Sequence, residues 1–429
     1  MSVGVEDVWL LGRGIRGLLH CDEAEVVEGI ARYVMSQHRS LRVGSALMER
    51  ARGTPLPAVT ALLGSLTRFL EVRAGAGREG AVWVARLSNE RRAVVALPQL
   101  LPELDWTEWK FQRPPDGAAL RALKGLRLGS LRSAYRLARR LHRRHEFFKV
   151  LRVLELLGYY ARYLALFRGG RFRLAVMSSH SNPHGIAFNL AARRCGVPVV
   201  LVTHGMPVRP VAPLSYELAV VHCEAARQTY EEEGCRMGRV LVQGRRQHHA
   251  PMSDEPLPAR LSVGVFLCKD VNEGRLRELV ERLLADPRVS RVLVRPHPKN
   301  LWLGLHEWVA SRREPRLGLS RGGSVFVDVE ASDIVLAGNS SVLAEALTAG
   351  RPAAYVPGID HGPLDLHAFV ARGLVYRYRD GRGLDPDAMR RFYLRPGWPN
   401  TLRLFANVCE DEASVTARVR DALREVASC

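Results

Sequence analysis

The sequence predicts an α/β chain of two successive Rossmann-like units facing a cleft, with a basic helical segment in its N-terminal half. Three observations predict this. Short apolar runs alternate with helical patterns from about residue 170 onward, which is the signature of parallel strands joined by right-handed crossovers. A polar, proline-rich stretch at 245–260, "RRQHHAPMSDEPLPAR", interrupts the alternation, which then begins again. Between 113 and 173 the chain is instead helical and strongly basic. The domains expected are therefore 1–244, containing the segment 113–173, a linker at 245–260, a second unit at 261–395, and a helical tail at 396–429 that packs back on the first domain.

Residues 1–110 carry helical patterns in "EAEVVEGIARYVMSQH" and "PLPAVTALLGSLTRFLEV", and two short strand-like runs, "AVWVARL" and "RAVVAL". No chemical motif stands out there. In "SLRSAYRLARRLHRRHEFFKVLRVLELLGYYARYLALF", Arg132, Arg136, Arg139 and Arg143 recur at i, i+4, i+7 and i+11, along one face of a helix. Strand "RLAVMSS", polar loop "HSNPHG", helix "IAFNLAARRC" and strand "VPVVLVT" follow, with Gly196 placed to close the helix in the left-handed conformation. "ELAVVHC" and "RVLVQG" read as strands around the helix "EAARQTYEEEG". Beyond the linker, "SVGVFLC", "RVLVRPHP", "SVFVDV", "DIVLAG" and "PAAYVPG" read as strands. "EGRLRELVERLLAD" and "SSVLAEALTAG" read as helices.

With 429 residues, 47% hydrophobic and 25% charged, the chain can build two or three cores. Sixteen Lys or Arg against three acids between Arg113 and Arg173 put about +13 of the net +19 in one segment. Such a segment is a solvated helix face, a face for an anionic membrane surface, or a nucleic-acid face. No helix-turn-helix, zinc-finger or RNP pattern accompanies it, so no nucleic-acid partner is expected. No run of about 20 apolar residues appears, and the N-terminus lacks the basic start of a signal peptide. Seven scattered cysteines without a C-x-x-C pair fit a reducing cytosol better than a disulfide framework or a metal site. A cytoplasmic protein, peripheral on the inner membrane face, is the expectation.

Open parallel sheets bind ligands beyond the carboxyl ends of their strands. In "AGNSSVLAEALTAGRP", Gly338 allows close backbone approach and Asn339 or Ser340 can cap the following helix. The free N–H groups there suit a phosphate, with Ser340 and Ser341 as hydroxyl donors and Glu345 as an acceptor for a ribose hydroxyl. In "RPHPK", prolines on both sides of His297 remove backbone freedom and hold the ring at the end of a strand. His204, in "THGMP", ends a first-unit strand and suits a general base. "SSHSNPHG" brings His180, Asn182 and His184 to the neighbouring strand end. The spacing of these histidines matches no known zinc motif, so no metal is expected.

A strand-end "HG", an "R-x-HP" and a later helix-start "SS", in that order over residues 170–380, resemble a group of bacterial surface-polysaccharide transferases. The group comprises CDP-glycerol glycerophosphotransferases, capsule Kdo transferases and polysialyltransferases. The resemblance implies a GT-B fold, a CMP- or CDP-activated donor and no separate cofactor, because the nucleotide-activated sugar is itself the substrate. It implies that His297, Ser340 and Ser341 bind the phosphate of the donor nucleotide, and the donor site expected from the strand-end loops adds Arg295, Gly338, Asn339, Glu345 and Lys269. It matches His204 with the histidine of the "HG" motif, a candidate base acting on a glycan or lipid-linked acceptor, and the strand-end loop offers His184 or His180 as alternatives. An inverting glycosyltransferase is the function it implies. Hydrolysing UDP-sugar 2-epimerases also resemble the "GNSS" loop and its continuation "SSVLAEA". A nucleic-acid-binding protein is the alternative from a different class.

Overall fold

The computed structural model describes residues 9, 12, 13, 16, 24–36, 48–75, 77, 79–111, 128–243, 250–300, 302–362, 364–380, 383–406 and 411–428. The chain separates into two compact units. The first holds residues 1–221, 226–243 and 411–429, and the second holds 222–225 and 244–410. The tail expected at 396–429 thus divides: the helix Trp398–Phe405 stays with the second unit and the helix Glu412–Ser428 joins the first. Positions 113–127 of the basic segment and 245–249 of the expected linker lie outside the described residues.

The first unit begins with helices α1 (Ala24–Ser36) and α2 (Leu56–Glu71) and strands β1 (Val72–Arg73) and β2 (Glu79–Val84). Helices α3 (Ser88–Val94) and α4 (Leu97–Leu100) lead to β3 (Trp106–Phe111). The basic segment forms α5 (Leu128–His142) and α6 (Phe147–Arg168), followed by β4 (Arg171–Met177), α7 (Pro183–Arg194) and β5 (Val199–Val202). Strand β6 (Ser215–Val221), α8 (Glu224–Glu232) and β7 (Arg236–Val242) close the series. The sheet order is β1-β3-β2-β4-β5-β6-β7, parallel throughout except for the β1–β3 pair. Strand β2 therefore sits where the order reverses, with β3 on one side and β4 on the other.

Alternation by two residues sorts the strands' side chains between the two faces. Ala81, Trp83, Leu174, Val176, Val200, Val202, Leu218 and Val220 form one face, buried against Val415, Val419, Ala422 and Leu423 of the C-terminal helix. Beyond the opposite face Trp109, Tyr163, Phe167 and Phe188 make a stacked and edge-to-face aromatic cluster. The α2–α6 contact is close enough that a Cβ at Gly158 would lie 2.1 Å from the Ser65 carbonyl oxygen. Gly196 takes φ +72° and ends α7 as expected.

The second unit contains β8 (Leu261–Phe266), α9 (Glu273–Ala285), β9 (Val289–Arg295), α10 (Leu305–Ser311), β10 (Leu317–Leu319) and α11 (Val325–Glu330). It continues with β11 (Ile334–Ala337), α12 (Val342–Thr348), β12 (Ala353–Tyr355), β13 (Tyr376–Arg377), α13 (Pro386–Tyr393) and α14 (Trp398–Phe405). All six strands are parallel, in the order β10-β9-β8-β11-β12-β13. Counted within the unit this is 3-2-1-4-5-6, the Rossmann order, with its reversal between β8 and β11. Both units are Rossmann-like α/β units.

Three local expectations are corrected. "RAVVAL" belongs to α3 and the turn after it, because Glu90 reaches back to accept from the Arg86 and Leu87 N–H groups and nucleates a helix. "SVFVDV" is α11 and not a strand. The Ser324 hydroxyl accepts from Phe326 N, and Val329 is buried while Val327 is exposed. "PHG" at 183–185 is the first turn of α7, with proline at its start, and not loop.

Gly158→Ala is expected to lower unfolding free energy by about 1–3 kcal/mol, since the added methyl has nowhere to go between two backbones. A denaturation midpoint equal to wild type would contradict the close approach of α2 and α6.

Candidate active site

In the first unit the strand-end loops on either side of the reversal carry an unusual density of titratable groups. Glu90, just after β2, is fully buried. Its Oε2 accepts from Arg86 N at 2.7 Å and Leu87 N at 3.1 Å, and Asn182 Nδ2 stands 3.4 Å from Oε1. His184 Nε2 lies 3.7 Å from Oε2, an ionic rather than a hydrogen-bonding distance. Burial alone would raise the carboxyl pKa, but His184 and the two backbone N–H groups outweigh it and hold the group at about 2. A buried negative charge therefore sits at the switch point of this sheet.

His180 is buried, and its Nδ1 lies 2.7 Å from the Tyr230 hydroxyl. Burial keeps the Tyr230 phenol protonated. The other ring nitrogen of His180, Nε2, is buried and has no hydrogen-bond partner. Burial, reinforced by His204, lowers its pKa to about 3. His184 is completely enclosed on α7, edge-on to Phe111 and Tyr159. Neither ring reaches solvent, so the reading of His180 or His184 as the base that meets an acceptor is set aside. His180 is close enough to His204 for the two rings to interact electrostatically.

His204 is the half-exposed member of the group. Its Nδ1 lies 2.9 Å from Ser178 Oγ and 3.2 Å from the Ser178 carbonyl oxygen. A carbonyl can only accept, so this geometry assigns the ring proton to Nδ1 and leaves the lone pair on Nε2. Burial lowers the pKa, opposed by the Glu90 charge and the Ser178 carbonyl. The result is a neutral imidazole with a free basic nitrogen and a nearby anion to stabilise the charge it would acquire.

In the second unit, β9, β8 and β11 end side by side, with Phe266 in register with both Arg295 and Ala337. His297 Nδ1 accepts from the Lys299 backbone N–H at 3.0 Å. That contact fixes the opposite tautomer, with the proton on Nε2 as a donor. Burial together with Lys299 and Lys269 lowers the His297 pKa, so the neutral form is favoured. Lys269, after β8, and Lys299, after β9, are both exposed. This strand-end edge is cationic.

The other donor-site expectations need revision. Arg295 is committed within the protein: its guanidinium donates to Gly323 O at 2.6 Å, to Ser320 Oγ and Ser324 O at 3.3 Å, and pairs with Asp328. It anchors the loop after β10 instead of presenting a free fork. The close approach at Gly338 is made by Asp360, whose Oδ2 would lie 2.0 Å from a Cβ there. Asp360 accepts from Asn339 N and Nδ2, both at 2.8 Å, and Asn339 Oδ1 accepts from Leu366 N at 2.7 Å. Asn339 thus ties the loop after β11 to the long connection between β12 and β13. Ser340 Oγ accepts from Val342 N at 3.3 Å, and Ser341 Oγ donates to Glu345 Oε1 at 3.1 Å. Glu345 accordingly holds the helix start and is not a free acceptor. Cys268 borders the same cluster, and burial with the neighbouring Asp360 raises its pKa.

Glu90, Ser178, Tyr230, Lys299 and Asp360 had no part in the expected site. The signal for Glu90 is the "SNE" start after a strand, a capping pattern. For Asp360 the signal is a lone acid in "GIDHG" after β12. Among the described residues no group of three or more His, Cys, Asp or Glu is placed to hold a metal ion.

No family model matches the chain. No curated protein matches it either. Solved structures with similar chain architecture include the kitacinnamycin glycotransferase, at 14% identity over 83% of this chain and 100% of that one, with TM-score 0.47. The calicheamicin glycosyltransferase CalG4 is 14% identical over 82% and 99%, with TM-score 0.46. The UDP-GlcNAc 2-epimerase from Neisseria meningitidis bound to UDP-GlcNAc is 10% identical over 81% and 99%, with TM-score 0.45.

The His180 pKa is depressed on folding, so the unfolded chain binds the extra proton first. Stability is then full above the ordinary histidine value of 6.5 and is lost as pH falls toward about 3. His180→Gln, which keeps a partner for Tyr230 without titrating, is expected to flatten the fall in denaturation midpoint over that window. An unchanged pH profile would place the acid sensitivity elsewhere.

Proposed function

We propose that this chain is a nucleotide-sugar-dependent glycosyltransferase of GT-B type, or a closely related glycerophosphotransferase-like enzyme, that uses a CMP- or CDP-linked donor. The observation carrying this reading is the pair of histidines held by their backbone contacts in opposite tautomers. His297 offers an N–H at the cationic edge of the second sheet, flanked by Lys269 and Lys299. His204 offers a lone pair at the switch-point edge of the first. A donor phosphate needs N–H groups and positive charge, and an acceptor hydroxyl needs a base.

In this mechanism the second unit binds the donor diphosphate or monophosphate through His297, Lys269 and Lys299. The hydroxyls of Ser340 and Ser341 border the same edge. These groups stabilise the charge that grows on the leaving nucleotide. His204 Nε2 takes the proton from the acceptor hydroxyl as its oxygen attacks the anomeric carbon, which inverts that centre. Glu90 stabilises the imidazolium so formed without meeting the substrate. The acceptor class is a surface polysaccharide or a lipid-linked glycan, and the exposed arginines of α5 support an anionic membrane surface as the place of work.

A second reading, a hydrolysing UDP-sugar 2-epimerase, is favoured by one feature. Ser340-Ser341 run into a helix whose Glu345 pairs with Ser341, as in the serine-rich loop and "EA" that those enzymes resemble. Incubation with UDP-GlcNAc alone separates the two: release of UDP and free ManNAc without acceptor would overturn the transferase reading.

His297→Ala is expected to abolish the thermal stabilisation given by CMP or CDP. His204→Ala is expected to keep it while turnover falls about 10²–10⁴-fold. Near-full turnover in His204→Ala would remove His204 as the base, and stabilisation by uridine nucleotides alone would reassign the donor.

A further inference from the structure

The first unit carries an exposed apolar ridge beside an exposed basic one, on two helices packed together. On α2, Ala58, Ala61, Ser65 and Phe69 face the core. The outer side shows Leu56, Val59 and Leu63, exposed by 49%, 40% and 58%. The half-buried Leu66 and Leu70 continue the line, so 59, 63, 66 and 70 follow the i, i+4, i+7, i+11 spacing of one helix face. On the neighbouring α5 and the turn after it, Arg132, Arg136, Arg139, Arg140, Arg143 and Arg144 are all exposed. None of the six has a carboxylate partner among the described residues. Helix α5 contains no acid, and the single acid of α2, Glu71, is buried. Among the described residues, no carboxylate pairs with the basic ridge and the apolar one stays exposed.

We propose that α2 and α5 together form a surface that docks on an anionic lipid bilayer, with Leu56, Val59 and Leu63 entering the boundary between headgroups and acyl chains while the α5 arginines bind headgroup phosphates. The charge alone fits lipid or nucleic acid equally. The apolar ridge decides between them, because aliphatic side chains gain nothing on a phosphodiester backbone and gain burial in a bilayer. Arginine suits the adjacent role, since its planar donor fork matches phosphate oxygens. A single polybasic or single apolar signal gives weak, reversible attachment, and two signals on adjacent helices give a stable one. The inference rests on the lipid-facing part of the functional reading and is independent of the donor chemistry.

The full-length protein is mixed with vesicles of phosphatidylcholine alone or of phosphatidylcholine with phosphatidylglycerol, and bound protein is measured by sedimentation at low and high salt. Binding is expected only to the phosphatidylglycerol vesicles, and it should weaken with salt. Leu56→Ser with Leu63→Ser, and separately Arg136→Gln with Arg139→Gln and Arg143→Gln, should each weaken it at least about tenfold. All these positions are exposed, so the unfolding midpoint and the thermal shift with CMP should stay as in wild type. Wild-type vesicle binding by the leucine variant would overturn the proposal. So would duplex DNA binding as tight as vesicle binding, or a wild-type dimer that the leucine changes dissociate. Loss of the CMP shift in wild type would overturn the donor reading and leave this one standing.

Discussion

The parallel alignment of strands is the constraint from which the chemistry of this molecule descends. Parallel neighbours cannot be joined by tight turns, so every connection climbs back through a crossover and every strand releases its loop at the same edge. Where the order reverses, the two adjacent loops diverge and leave room between them. In the first unit that place is bordered by the residues after β2 and β4, which include Glu90 and Ser178 to Asn182. In the second it is bordered by the residues after β8 and β11, which include Lys269 and Gly338 to Ser341. Residues far apart in sequence become neighbours through topology alone.

Within that frame the backbone decides what each histidine can do. A carbonyl opposite Nδ1 makes His204 a base at Nε2, and an amide opposite Nδ1 makes His297 a donor at Nε2. The same residue type, with the same intrinsic pKa, is assigned two chemistries by one main-chain contact each. Burial lowers both ring pKa values, which favours the neutral state in which a base can accept a proton. Glu90 adds a buried counter-charge that costs desolvation and is held by two amide N–H groups.

The alternation of apolar runs and helical patterns from residue 171 onward was readable because buried parallel strands leave a dense apolar signal between crossovers. Strands β3, β10 and β13 escaped it. Trp106–Phe111 mixes aromatic with charged residues at the sheet margin, and the other two have three and two residues. The α11 segment misled because Val, Phe and Val alternate as in a strand, while Ser324 and the Arg295–Asp328 pair fix it as a helix turn. At the site, His204, His297 and the serines could be read from strand-end position. Roles that depend on partners could not. Nothing in the sequence says that Arg295 is spent on residues 320–328, that Asn339 holds Asp360, or that His184 is sealed inside α7. Such assignments arise from long-range contacts, which local pattern does not encode.

The "RPHPK" stretch shows what those contacts add. Pro296 and Pro298 limit the backbone on either side of the ring, Arg295 is bolted to the loop ahead of α11, and Lys299 N–H fixes Nδ1. A ligand arriving at His297 finds Nδ1 already engaged and the ring proton already on Nε2. Little rotational freedom is left to surrender on contact, so the free energy of that hydrogen bond passes to affinity with little of it diverted into ordering the protein. Such a residue also discriminates by geometry: an anion that does not lie along the fixed N–H direction gains nothing from it, because the ring has no slack with which to follow.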